Sequence, residues 1–248
     1  MQHDFARHRA GFLQRIVFQK LMGGRGVGDL ERLANWNVQL LRREPAVDVV
    51  GTHALQCAVG AGARVTVLDK NVDRLRQLDL VFGNRITTQY SNAMSVEEAV
   101  LAADLVIGGV LIPGAAAPKL VTRDMIARMR KGAVVVDVAI DQGGCFETSH
   151  ATTHADPVYV VDGVTHYCVA NMPGAVPITS TKALTNATLP YVEAIAGSGL
   201  HVAVASDPAL AKGVNVIEGK LTYEAVAEAH GIDYTPLDDV LPLAAVRG

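Results

Sequence analysis

Between Val49 and Asp69 the chain writes the second half of a nucleotide-binding unit and alters the first. Val49-Val50-Gly51-Thr52-His53-Ala54-Leu55 runs into a helical pattern, and Ala63-Arg64-Val65-Thr66-Val67-Leu68 is a β-run ending in Asp69, 18 positions after Gly51 (69 − 51). In the GxGxxG turn of a Rossmann unit the first glycine makes a tight bend and the second lets backbone amides approach a pyrophosphate. The third lets helix pack on strand, and an acid about 20 residues on takes the ribose hydroxyls. Gly51 stands third in this pattern, which puts the first two positions on Ala46 and Asp48. A carboxylate at 48 would repel a pyrophosphate by on the order of 1 to 4 kcal/mol per charge pair at contact, depending on screening. Lost amides at the helix N-terminus add to that deficit.

From residue 49 onward apolar β-runs alternate with helical patterns, which predicts an α/β protein with a doubly wound parallel sheet of Rossmann type. The expected strands are Arg64 to Leu68, Ile86 to Tyr90, Leu105 to Val110, Val134 to Val138 and Cys168 to Asn171. Expected helices are Asn71 to Leu80, Ser95 to Ala103 with Ser95 and Glu98 in capping-box spacing, and Met125 to Met129 capped by Thr122. Beyond Asn171 the pattern turns helical: Thr179 to Ala196, Pro208 to Lys212 and Tyr223 to His230. The expected domains are an atypical segment 1–48, a nucleotide-binding domain 49–175 and a helical part 176–248. In the first of these, Phe5 to Leu21 and Leu30 to Arg43 read as amphipathic helices. A Rossmann domain needs an apolar first strand before its glycine turn, and Leu40-Leu41-Arg42-Arg43-Glu44-Pro45-Ala46-Val47-Asp48 makes a poor one.

A length of 248 residues with half of them hydrophobic is enough for a sizeable core, and a net charge of −3 supplies no field for a polyanion. Nucleic acid is therefore not an expected partner. Gly and Pro interrupt the longest apolar stretch, Leu105 to Ala117, short of the ~20 residues a spanning helix needs. No secretory pattern opens the chain, and a cytoplasmic location without membrane contact is expected. Cys57, Cys145 and Cys168 are odd in number and lack CxxC spacing, so they read as reduced, mostly buried packing residues.

Six ordered motifs then carry a resemblance over about four fifths of the chain. They are Arg64-Val-Thr-Val-Leu-Asp69 with Leu75-Arg-Gln-Leu-Asp79; Ala103-Asp-Leu-Val-Ile-Gly108; Pro113-Gly114 with Ala117-Pro-Lys-Leu-Val121; Val136-Asp-Val-Ala-Ile-Asp-Gln-Gly-Gly144; Cys168-Val-Ala-Asn-Met-Pro173; and Ala183-Leu-Thr-Asn-Ala-Thr-Leu-Pro-Tyr191. Together they resemble the bacterial L-alanine dehydrogenases, whose wider group includes the transhydrogenase α-subunits.

That resemblance implies an NAD-dependent oxidative deamination of L-alanine to pyruvate and ammonium, and a homo-oligomer, hexameric in the family. It implies that the C-terminal helices belong to a substrate domain, incomplete here. By the same resemblance Asp69 takes the adenosine ribose, Arg74 and Ser91 line the adenosine side, and Val110 with Leu111 passes beneath the nicotinamide half. Val138, Ala139, Ile140 and Asp141, with Val169, Ala170, Asn171 and Met172, border the nicotinamide ring, and Asp141 is the active-site carboxylate. His150 stands where the family commonly has an arginine. The family's substrate-binding arginine and lysine and its acid/base histidine have no counterpart in residues 1–22. Gly23-Gly24-Arg25-Gly26-Val27 resembles a family motif, while residues 28–48 keep its spacing without its sequence, the mark of an out-of-frame segment.

Blander readings stand beside these. Asp69 could cap the following helix through the Val72 or Asp73 amides. Gly143-Gly144 could be a plain turn, and His150 with His154 could be loop residues rather than metal ligands. His53, His166, His201 and His230 read as capping, core or surface residues. The function itself is open between the dehydrogenase and a non-catalytic NAD-binding or oligomerisation remnant.

Overall fold

The computed structural model describes residues 37–43, 48–110 and 117–242, and side chains outside 42–50. It places a strand where none was expected. β1, Asn37–Arg43, lies at the centre of a seven-stranded sheet, flanked in parallel by β2 (Arg64–Asp69) and β4 (Leu105–Val110). Beyond β2 lies β3 (Ile86–Tyr90); beyond β4 come β5 (Val134–Asp137), β7 (Val164–Tyr167) and the antiparallel edge strand β6 (Val158–Val161). The order β3-β2-β1-β4-β5-β7-β6 reverses direction between β1 and β4, as a doubly wound sheet does. The helix expected over Leu30 to Arg43 is therefore corrected across 37–43, and residues 30–36 lie outside the described part, as does Phe5 to Leu21. The physical reason is position: Val38, Leu40 and Leu41 are buried at 1% exposure each, whereas the arginines come at the strand's carboxyl end and Glu44 and Pro45 follow it.

The sheet is covered on both faces. On one, Leu55 of α1 (Asp48–Gly60) and Leu75, Leu78 and Phe82 of α2 (Val72–Phe82) pack on Val38, Leu40, Val65 and Val67. On the other, Val96, Ala99 and Val100 of α3 (Ala93–Ala102) and Met125 and Ile126 of α4 (Arg123–Arg128) pack on Leu41, Val106 and Val135. Both-sided burial is why these strands are nearly continuous apolar runs. Thr122 caps α4 through the Met125 amide, as the sequence predicted. The capping box of α3 is shifted: Asn92 and Ser95 exchange side-chain and backbone bonds at 2.9 Å each, so the helix starts two residues before Ser95. The expected strand at Cys168 to Asn171 is likewise moved to Val164–Tyr167, and of the expected span only Val169 forms a bridge, to Thr152.

A second compact unit begins at Val176. It comprises α5 (Pro177–Ser198), α6 (Leu200–Ser206), α7 (Pro208–Lys212), the β8–β9 hairpin (Val216–Ile217, Lys220–Leu221), α8 (Glu224–His230) and α9 (Leu237–Val240). Its small core is Val204 and Ala205 with Leu210, Ala211, Val214, Leu237 and Leu241. No described helix is long and apolar enough to cross a membrane.

Candidate cofactor site

In a doubly wound sheet the ligand crevice lies outside the carboxyl ends of the strands, at the point where the strand order reverses. Around that edge, Asp69 ends β2 and is only 2% exposed; its Oδ1 accepts the Asn71 amide at 2.9 Å, and its carbonyl accepts the amide of buried Ser91 at 3.0 Å. The N-cap of α2 is Asn71, which accepts the Arg74 amide at 3.0 Å. Arg74 reaches across to the first turns of α1, donating from Nη2 to Thr52 Oγ at 2.8 Å, and from Nη1 to Gln77 Oε1 at 3.0 Å. Gly51 is buried next to Thr52 on α1. One hydrogen-bonded set thus joins the elements bearing Gly51, Asp69, Arg74 and Ser91. Ala46 and Leu111 lie outside the described residues, and α1 starts at Asp48.

Farther along the same edge, Val110 ends β4, buried, and the Val138 amide donates to Gly108 O at 2.9 Å just past β5. Ala139 leads into a 3-10 turn, Ile140–Gln142, on which Asp141 is exposed. After β7, Thr152 donates to Cys168 O at 2.9 Å and Ala170 donates back to Thr152 O at 3.1 Å, which pins the Val169–Met172 segment. Asn171 sits at φ +54°, and its carbonyl accepts the Gly174 amide at 2.8 Å and faces His154 Nε2 at 3.0 Å. Val138 and Met172 pack on the same apolar cluster as Val169, whereas Val110 belongs to the cluster on the opposite face.

Two groups that the sequence reading did not single out organise this edge. Asp137, fully buried, accepts the amides of Ala139 (3.1 Å), Cys145 (2.9 Å) and Phe146 (3.4 Å) and the Ser149 hydroxyl (2.6 Å). A carboxylate is tolerated there because converging donors replace its water. Lys119 Nζ donates to the carbonyls of Gly143 (2.5 Å), Gly144 (2.9 Å) and Phe146 (3.2 Å). Gly144 is more than a turn residue: at φ +75°, its absent Cβ would fall 2.6 Å from Asp137 Oδ2. The available signal was an acid closing the apolar run Val134-Val135-Val136.

The remaining candidates are structural. His166 is fully buried, with Nε2 2.7 Å from Thr148 Oγ and Nδ1 3.0 Å from Val164 O; burial lowers its pKa. A carbonyl at Nδ1 makes that nitrogen the donor, so Nε2 accepts from Thr148. His150 stacks on Tyr159 with centroids 3.7 Å apart, His53 faces Gln56, and His201 faces Pro242 O. Burial raises the thiols of Cys57, Cys145 and Cys168, Cys145 furthest with Asp137 adding to it. They stay protonated, unlike a nucleophilic cysteine. Among the described residues no group of three or more His, Cys, Asp or Glu is placed to hold a metal ion.

A doubly wound sheet with a buried acid closing its second strand defines a nucleotide-binding fold of Rossmann type. Within that class the chain belongs to the alanine dehydrogenase/PNT C-terminal domain family, which it matches over residues 47–224. It is 63% identical over 186 residues to an alanine dehydrogenase of Halomonas elongata, covering 75% of this chain and 50% of that protein. With an alanine dehydrogenase of Staphylococcus haemolyticus it shares 50% identity over 226 residues, 90% of this chain and 60% of the relative. That match is longer than the 200 residues from Val49 onward (248 − 48), so it reaches upstream into the segment that the sequence presented as filler. A solved L-alanine dehydrogenase superposes with a TM-score of 0.74 at 46% identity, covering 91% of this chain and 62% of that one. A transhydrogenase from Sinorhizobium meliloti follows at 0.57 and 26% identity, covering 66% of this chain and 47% of that one. The chain spans about half the length of the first curated relatives it matches.

Proposed function

We propose that this chain forms the NAD-binding part of an enzyme that oxidatively deaminates L-alanine to pyruvate and ammonium in the cytoplasm, as a homo-oligomer. The observation that carries this reading is the 63% identity to a protein named alanine dehydrogenase, over a stretch long enough to hold most of the strand-end residues. In it Asp69 takes the adenosine ribose, with Gly51, Arg74 and Ser91 beside it. Val110 and Leu111 pass under the nicotinamide half. Val138 to Asp141 and Val169 to Met172 wall the ring and exclude water from it. The fit rests on the buried Asp69 carboxylate on one side and on the exposed Asp141 carboxylate at the same sheet edge on the other. NAD when bound supplies the hydride acceptor. Asp141 accepts or relays the proton released at the substrate amine or water, a task that needs a carboxylate within hydrogen-bond reach.

A second reading is nucleotide binding without turnover, favoured by Ala46 and Asp48 at the phosphate-turn positions. NADH absorbance with L-alanine and NAD, together with an NAD titration, separates the two. Steady NADH formation supports the dehydrogenase, binding without it supports the second reading, and no binding overturns both.

A further inference from the structure

Two charged side chains grip the loop that carries Asp141 from opposite sides. Asp137 lies beneath it and takes the amides of Ala139, Cys145 and Phe146 and the hydroxyl of Ser149. Lys119, an exposed residue, lies over it and donates to the carbonyls of Gly143, Gly144 and Phe146. Between them the loop closes on itself: Gln142 and Gly144 donate to Ala139 O at 2.9 and 3.0 Å, and Gly143 to Ile140 O at 3.0 Å. Positive φ at Gly143 (+85°) and Gly144 (+75°) lets amides turn toward the anion and carbonyls toward the cation. Three amides of the segment thus meet the anion and three carbonyls the cation, and charge-assisted bonds are about twice as strong as neutral ones.

We propose that Asp137 and Lys119 are positioning residues that hold the Ile140–Gln142 turn so that the Asp141 carboxylate stays presented at the sheet edge. The proposal rests on the reading of Asp141 as a nicotinamide-side residue. Neither charge is spent on the adenosine side, where Asp69, Arg74 and Ser91 are held by β2, α2 and β3. Loss of the clamp therefore affects the two halves of the cofactor unequally.

The test uses the full chain with Lys119→Met, Lys119→Arg as the conservative rescue, and Asp137→Asn as a second variant. Hydrogen exchange reads the loop directly: in Lys119→Met the peptide spanning 138–147 exchanges about tenfold faster while the β2 and β4 peptides keep their rates, as expected of local opening. NADH and ADP-ribose titrations read the consequence: NADH weakens by about tenfold, or 1.4 kcal/mol, ADP-ribose stays within about twofold, and Lys119→Arg restores both readouts. In Asp137→Asn, if folded by circular dichroism, the same peptide opens. An unchanged loop in folded Lys119→Met overturns the clamp. An opened loop with both ligands weakened equally, or neither weakened, overturns the positioning role. Wild-type protein that binds neither ligand removes the cofactor reading, and the exchange rates still decide the clamp.

Discussion

Gly108 on β4 shows how little room the sheet leaves around this edge. A Cβ there would lie 2.2 Å from Cys145 Sγ and 2.7 Å from Phe146 Cε2, both fully buried. Gly108→Ala is expected to cost about 1 to 3 kcal/mol through overpacking, measured as a lower urea midpoint at unchanged slope. His166 makes a second point testable. Its native pKa is lowered by burial, so above the ordinary imidazole value of about 6.5 neither folded nor unfolded chain carries the proton. As pH falls through that value the unfolded chain binds a proton that the native state resists, and stability drops. The urea midpoint should fall between about pH 7 and pH 5 in wild type and less steeply in His166→Gln; parallel curves would assign the titration elsewhere. At this scale spacing and motif marked Asp69 and Asp141 as candidates, whereas Lys119 carried no local signal: its three carbonyl partners lie 24 to 27 residues away.

Among the elements, β1 is the one the sequence concealed. A fully buried parallel strand normally reads as an unbroken apolar run, and Gln39 breaks this one, so that Val38, Leu40 and Leu41 look like part of a helical stripe. Gln39 is 5% exposed and its Oε1 has no hydrogen-bond partner. Removing an orphaned buried acceptor from a strand interior is favourable, and Gln39→Leu is expected to raise stability by about 1 kcal/mol, read from denaturant unfolding. A loss of stability instead would mean that the amide's other end is bound firmly enough to outweigh the orphan. Camouflage of the same kind shifted β7: Thr165 and His166 interrupt its apolar pattern, while the run beginning at Cys168 has the more strand-like composition. β2 to β5, with no buried polar interruption of this kind in most of them, were legible to within one residue at each end.

For the molecule as a whole, the proposed cofactor ties function to stability. A ligand that binds only the folded state stabilises it by RT ln(1 + [L]/Kd), about 2.7 kcal/mol at a hundredfold excess over Kd. NADH should therefore raise the thermal midpoint of wild type, and Asp69→Ala should show a much smaller rise at the same concentration; equal rises would remove Asp69 from the site. The topology also has a consequence during synthesis. Asn37 on β1 meets Asp104, at the threshold of β4, across 67 positions of chain, and β1 pairs with β4 along its length. At 5 to 20 residues per second, a ribosome finishes β1 roughly 3 to 13 s before it delivers β4. Through that interval one side of the newborn central strand is an open edge, the state in which a nascent chain most needs shielding from its neighbours.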